Sequence, residues 1–485
     1  MKTIFTHLLF FTSLITFTYS SQAQNVTIPD ANFKAYLLSN ASINTNMDGE
    51  IQLAEASSYT GLMNVSSKNI ADLTGIEAFT AITTLYCANN QLTSLNVSSN
   101  TALENLECEN NQLTSLTVSG ATALDYIHCF SNQLTSLDLS ANHALTDVTC
   151  YSNQLTNLNV TGLNNLTELY CYSNQLTSLN VSTNTSLATL KCHINQLTSL
   201  NVSANANLVY LDCSNNQISS LNIATPSLTK LYCAFNLLTT LNVSSNPALQ
   251  YLWCDNNQLS GLNISSNTSL VSLHCSNNQL SALNVSANMA LQDLSCYNNN
   301  LSALNVSSNS ALTGLYCESN HLTALNVSAN PALTELGCNS NQLSSLNVKN
   351  GNNSSFSFFS ATANPALQCI EVDNVAYANA NWTLGKDASA FFSTSCSQIG
   401  LSSLYREKEI VRIYPSPSNG FIKIDLNHLS DITIAVYDIT GKCVYQKQAA
   451  TQLNHLLDLS HAPKGVYFIK VMAEEFQTTK KMIIQ

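Results

Sequence analysis

Thirteen cysteines stand in a column along the chain: Cys87, Cys108, Cys129, Cys150, Cys171, Cys192, Cys213, Cys233, Cys254, Cys275, Cys296, Cys317 and Cys338, 21 residues apart at every step except the 20 between Cys213 and Cys233. Thiols in such register could ligate metal, cross-link or fill a core. Metal ligation needs thiolates and paired ligands, and no CxxC cluster occurs. Cross-linking needs partners, but thirteen is odd, and side chains pointing the same way from successive turns make poor bridges. The surrounding sequence favours filling. Leu92, Leu95 and Val97 repeat the slots of Ile82, Leu85 and Cys87, and the Val97 slot holds Val, Leu or Ile in all thirteen units. Cysteine and valine are interchangeable there, which makes each thiol a small inward-facing apolar group.

If the cysteine faces inward on a strand, the residues one and three before it and one after it face outward. Those columns carry Tyr86, Tyr126, His128, Phe130, Tyr151, Tyr170, Tyr172, His193, Tyr210, Tyr232, Tyr251, Trp253, His274, Tyr297 and Tyr316. Interspersed are nine carboxylates: Glu107, Glu109, Asp147, Glu168, Asp212, Asp255, Asp293, Glu318 and Glu335. The equivalent columns of the second half-repeat are almost all Ser, Thr and Asn. Aligned exposed aromatics bury large area at low entropy cost, as a surface for a protein or glycan ligand requires. The alternative is that they ladder on one another and stabilise a sheet. They are densest between residues 210 and 253. Thirteen turns at ~4.8 Å give a face on the order of 60 Å long, oversized for a metabolite.

The element that positions these columns is the repeat itself, L-x-x-L-x-C-x-x-N-x-L, running over residues 82–350. It resembles the nested 21-residue leucine-rich repeats of bacterial proteins. The resemblance implies a β-rich right-handed solenoid in which two extended segments per coil could build two parallel β ladders. An asparagine follows each cysteine by three residues in all thirteen units, placed so that an inward amide can satisfy backbone groups of its own and adjacent coils. The second half-repeat has Asn at the matching place in nine of thirteen, with Ala121, Leu163, Pro226 and Gly351 marking irregular coils. The recurring Asn-Val-Ser tripeptides formally match a glycosylation acceptor, but their phase with the repeat is better explained by register.

The ends of the chain read as devices for export and capping. Residues 1–23 have the form of a signal peptide, with Lys2, an apolar run over 4–17, and small residues before a mature start at Gln24; no later stretch is apolar enough to span a membrane. Residues 24–81 form an N-terminal cap, opened by a small helix that Pro29 and Asp30 start and that faces Phe33, Leu37 and Leu38 inward. In the loop after it Asn44, Asn46, Asp48, Gly49, Ile51 and Glu55 fall at positions 1, 3, 5, 6, 8 and 12 of the EF-hand pattern, so Asn44, Asn46, Asp48, Glu50 and Glu55 are candidate calcium ligands. Asn44 in place of Asp lowers the charge, and the alternative is a turn with a helix cap. The segment resembles the EF-hand-like cap of internalin-type proteins. No other cofactor is indicated.

Residues 351–397 read as a C-terminal cap, where Cys369 and Cys396 leave the 21-residue phase and are expected to pair in an oxidising compartment, free thiols being the alternative. A charged linker over 398–409 leads to a β-rich module over 410–485, whose alternating segments suit a small sandwich. Pro415, Pro417 and Gly420, then Gly465, then Lys480 and Lys481 lie in three stretches that resemble the type A C-terminal sorting domain of the type IX secretion system, with Ser416 where that family more often carries Asn. The resemblance implies passage across the outer membrane, contact with the secretion machinery, and attachment at the surface or release.

Charge narrows the function classes. Residues 24–400 hold 21 Asp and Glu against six Lys and Arg, which repels phosphate backbones and excludes nucleic acid as partner. No nucleophile elbow, zincin motif or phosphate loop occurs, and no segment of catalytic-domain size remains between the caps. The sequence therefore reads as an exported or surface leucine-rich repeat protein binding a protein or glycan through its aromatic, acidic face. A purely structural surface component is the alternative, and a hydrolase the least favoured.

Overall fold

The computed structural model describes residues 24–396, 411–426, 432–449, 454–473 and 476–485; the export signal and the 398–409 linker lie outside the described residues. In twelve of the thirteen repeats the residues before the cysteine form a three-residue strand that buries its middle side chain, and in the first the strand is the five-residue Ile82–Tyr86. Tyr126–His128, for example, buries Ile127 and leaves Tyr126 and His128 half-exposed. Fifteen such strands pair in parallel and in chain order, from Gly61–Asn64 to Phe358–Ser360. Thirteen belong to the repeats, and each cap contributes one more. The backbone pairing runs past the strand, as where the Cys87 N–H donates to the Glu107 carbonyl at 2.8 Å.

Every one of the thirteen cysteines is fully buried beside Leu side chains that are also at 0% exposure, such as Leu103 and Leu106 around Cys108. Burial pushes the thiols far above their ordinary range, Cys150 and Cys296 to about 12. Two residues after each cysteine the chain turns through the left-handed region, with φ between 51° and 57° in all thirteen coils. That conformation suits Asn and tolerates Ser, which occupy eleven of the thirteen positions.

The next residue is the asparagine of the repeat, and its amide clamps adjacent coils. Asn132 donates to the carbonyls of Cys108 and Cys129 at 3.0 and 3.1 Å, while its Oδ1 accepts the Leu113 N–H at 2.9 Å. The same three bonds recur from Asn111 to Asn341. The second asparagine works differently. Asn142 donates to the carbonyls of Val118 and Ala121, but its Oδ1 has no partner among the described residues, as is true of all nine asparagines in that column.

That difference accompanies a second ladder that is present but interrupted. The second segments pair as strands only at Ser94–Asn96 with Ser115–Thr117, Ser199–Asn201 with Ser220–Asn222, and Ala324–Asn326 with Ser345–Asn347. Isolated bridges join Asp138 to Asn159 and Asn242 to Asn263. An amide that only donates leaves the coils less tightly drawn together than one that also accepts. The 20-residue step is absorbed on this second side, where buried Thr225 stands in for the missing Asn and its carbonyl receives Asn246, so Tyr210–Asp212 still pairs in register with Lys230–Tyr232.

At the N-terminus helix α1, Ala31–Ser39, is capped by Asp30 and buries Phe33 and Leu37. Leu38 is only partly covered. Helix α2, Leu53–Ser58, follows the loop. At the other end of the array Trp382 stacks on Phe359, with centroids 4.5 Å apart. Cys369–Glu371 pairs with Phe391–Ser393, and a disulfide joins Cys369 to Cys396. The terminal module is a sandwich of antiparallel sheets. Val411–Tyr414, Phe421–Leu426 and Asn454–Asp458 form one; Cys443–Ala449, Ile432–Asp438, Gly465–Ala473 and Phe476–Ile484 form the other. Ile422, Ile424, Ile434, Ile469 and Met482 fill its core at 0% exposure.

Candidate functional site

The outward columns of the first strand come together as one face, and its rings are ordered against each other. Phe130, Tyr151, Tyr172 and His193 stack through successive coils with centroids 4.4, 4.3 and 4.3 Å apart and planes within 13°. Farther along, Tyr232 packs on Trp253 and Trp253 on His274, at 4.6 and 4.9 Å. Alongside the two stacks runs a lattice of rings and cations. Lys191 sits over Tyr170 and Tyr210, and Lys230 over Tyr210 and Tyr251, all at 5.0–5.8 Å. Tyr86 meets Tyr126 through their hydroxyls at 3.1 Å, and Tyr316 donates to Glu335. Tyr297 stands exposed outside these stacks.

The carboxylates of the face are partly desolvated. Burial pushes the carboxyls of Glu109, Asp255 and Glu318 up from their ordinary range, with Glu107 adding to the effect at Glu109. Glu109 Oε2 and Glu318 Oε2 are buried and have no hydrogen-bond partner among the described residues. Three histidines lie beside a carboxylate of the following coil: His128 by Asp147, His193 by Asp212 and His274 by Asp293. The Asp147 bond raises His128. Burial opposes ionisation of His274, but its bond to Asp293 outweighs that and leaves it raised. At His193 burial wins, helped by the Lys191 charge, and the group is lowered. Ser272, His274 and Asp293 are neighbours, yet in the wrong order for a hydrolytic triad: the Ser272 hydroxyl bonds the Asp293 carboxylate rather than the imidazole.

Sequence reasoning missed part of this surface. Ile194 and Phe235 occupy the left-handed turn positions at φ of 53° and 55°, where the other coils carry Asn or Ser. They are 50% and 54% exposed, and Leu237 beside Phe235 is 46% exposed. A β-branched residue held in this conformation is strained, and an exposed apolar side chain gains nothing from burial to offset it. The signal was available as two breaks in a polar column.

Further candidate residues lie in the cap loop and in the repeat tripeptides. In the cap loop Glu55 accepts the N–H groups of Thr45, Asn46 and Gln52 and the Thr45 hydroxyl, closing a capping box on α2. Burial opposes its ionisation, but those donors outweigh it and hold the carboxyl below its usual range. Asn46 and Gln52 bond Asp48, Asn44 donates to the Asp48 carbonyl, and Glu50 pairs with Lys34. A calcium ion in this loop would compete with these four donors for Glu55. The Asn-Val-Ser asparagines turn their Oδ1 onto the N–H two residues on, as Asn96 does with Ser98 at 3.0 Å.

In the terminal module the loop of Pro415, Pro417 and Gly420 is tied to the C-terminal strand. Ser418 donates its N–H to Ile483 and accepts that of Gln485, both at 2.8 Å. Gly420 has a φ of 101°, and a Cβ there would lie 2.5 Å from the Ser460 backbone. The peptide bonds before Pro415 and Pro417 are cis. Gly465 opens the strand Gly465–Ala473, while Lys480 is half-buried and Lys481 exposed on Phe476–Ile484.

Comparison with known proteins agrees with this division. Residues 412–485 match the family described as the secretion system C-terminal sorting domain. No curated protein sequence matches the chain. Among solved structures the functional domain of InlJ from Listeria monocytogenes, described as including a cysteine ladder, is similar at a TM-score of 0.57 and 23% identity over 96% of this chain and 100% of that one. An internalin, InlF, from the same species gives 0.55 and 20% over 67% and 98%. A Leptospira interrogans leucine-rich repeat protein gives 0.53 and 26% over 57% and 78%. No helix among the described residues is long and apolar enough to cross a membrane. The array is thus a leucine-rich repeat solenoid of internalin-like fold, and it is carried by a type IX secretion sorting domain, which makes this an exported protein destined for the cell surface or for release.

Proposed function

We propose that the exported array binds a macromolecule, protein or glycan, through its first-strand face, and serves adhesion or recognition. The asymmetry of the coil carries this reading. Both halves of the repeat bury the same apolar slots, with Leu221 alone among them only half-buried, so packing alone would treat their outward columns alike. Instead one side varies among aromatic, acidic and histidine residues, and the other repeats Ser, Thr and Asn. Varied chemistry on an invariant frame is what a recognition surface needs. The triad-disordering geometry at Ser272 favours binding over catalysis, and hydrolysis of peptide or polysaccharide panels by the full chain would overturn that preference.

The stacking of Phe130, Tyr151, Tyr172 and His193 favours a second reading, a structural surface component whose rings stabilise the sheet. Tyr151→Phe with Tyr172→Phe separates the two, because the rings still stack while the hydroxyls are lost. Binding predicts weaker retention of the full chain on the protein or glycan that holds it, at an unchanged melting temperature. Blank panels for the wild type would leave the structural reading standing.

A further inference from the structure

We propose that the partner of the first-strand face is a protein presenting an extended cationic stretch, its Lys and Arg side chains meeting the carboxylates of this face and its apolar residues meeting Ile194 and Phe235. This deepens the binding reading above and rests on it. A sugar would stack on the open face of a ring, and open ring faces are scarce here. In the run from Phe130 to His193 each ring lies against the next at 4.3–4.4 Å, and Trp253 is covered by Tyr232 on one side and His274 on the other. Lys191 and Lys230 already occupy the faces of Tyr170, Tyr210 and Tyr251. Ring edges and phenol hydroxyls remain, and these suit the carbonyls and side chains of a protein.

Charge points the same way. The three outward columns hold nine carboxylates against Lys191 and Lys230, whereas the matching columns of the second segment hold only Asp138 and Lys349. These carboxylates are not simply solvated. Glu318 lies flat across Gly337, where a Cβ would come within 1.9 Å of its Oε1. Its Oε2, like that of Glu109, is buried without a hydrogen-bond donor among the described residues. A buried anionic oxygen lacking a donor is costly, and because Glu109 and Glu318 are only half-buried as side chains, a turn of the carboxylate outward lets an arriving guanidinium or ammonium supply the missing donors and charge together. The exposed apolar turns at Ile194 and Phe235 would be wasted on a sugar and are the kind of anchor a protein interface uses.

The test measures binding of the full chain to a labelled Lys- and Arg-rich peptide of about 15 residues, long enough to span some 50 Å of the face, beside an uncharged Gly-Ser peptide and a neutral glycan panel. The cationic peptide alone should bind, and more weakly as salt rises. Glu109→Gln with Glu318→Gln should cost on the order of tenfold in affinity. Asp138→Asn with Glu104→Gln removes the same charge elsewhere and should cost less than about twofold, as expected for exposed groups. Equal losses from the two pairs would mean adhesion to net charge and overturn the proposal. Retention on glycans and not on the cationic peptide would overturn it while leaving the binding reading intact. Retention on nothing would sink both. Melting curves of all variants confirm that each is folded.

Discussion

A cysteine in this array is a packing residue because of where its sulfur sits. With all thirteen side chains at 0% exposure and the thiols pushed up by burial, native protein at pH 8 should leave them unreactive to a thiol reagent. Exposed Cys443 should react at once, and all fourteen free cysteines of the described residues should react in denaturant. Cys171→Ser should destabilise by about 1–3 kcal/mol, the cost of a buried hydroxyl without an adequate partner. Proton titration distinguishes the three histidines of the face. His128 and His274 are raised, so the stability they contribute is full below about pH 6.5 and is lost as pH rises through their folded values. His193 is lowered, so its contribution is full above about pH 6.5 and is lost as pH falls through its folded value. NMR titration of the imidazoles should place His128 and His274 above the ordinary value and His193 below it. Asp147→Asn should bring His128 down.

At the scale of the coil, the two asparagine columns make unequal demands. Asn132→Ala strands one N–H and removes the donor from three carbonyls, those of Cys108, Cys129 and Phe130, and should cost at least about 3 kcal/mol; Asn142→Ala removes donors only and should cost about 2 kcal/mol. Amide exchange at Leu113 and neighbouring residues should quicken more in the first variant, and equal effects would contradict the clamp. This element also shows what the sequence could convey. The period, the inward cysteine and the first asparagine were legible because each is restated in thirteen coils. The weakness of the second ladder was not, since nine asparagines at the same phase look equivalent until the direction of each Oδ1 is known. The ring stacks were half legible: aromatics in one column could be seen, but whether they offer faces or edges depends on χ angles that spacing does not fix. In the cap loop, EF-hand spacing described alternate oxygen side chains correctly yet could not say whether Glu55 turns toward an ion or toward N–H groups.

The whole molecule is a nearest-neighbour stack with an address attached. Each coil packs its core on adjacent coils, so outward substitutions change the face while the core is untouched, which lets one frame carry varied chemistry. The terminal sandwich has its own core, and Gly420→Ala, which would strike the Ser460 backbone, should block export while leaving the array folded inside the cell. If the first-strand side is kept for binding at some expense to stability, as proposed, Ile194 and Phe235 show it most directly. Replacing both by Asn relieves left-handed strain worth roughly 1–2 kcal/mol per residue and removes two exposed apolar groups. Retention of the full chain on its best-held ligand, measured beside thermal melting, should fall severalfold while the melting temperature rises. A variant that melts higher and is retained as well as the wild type would contradict the account.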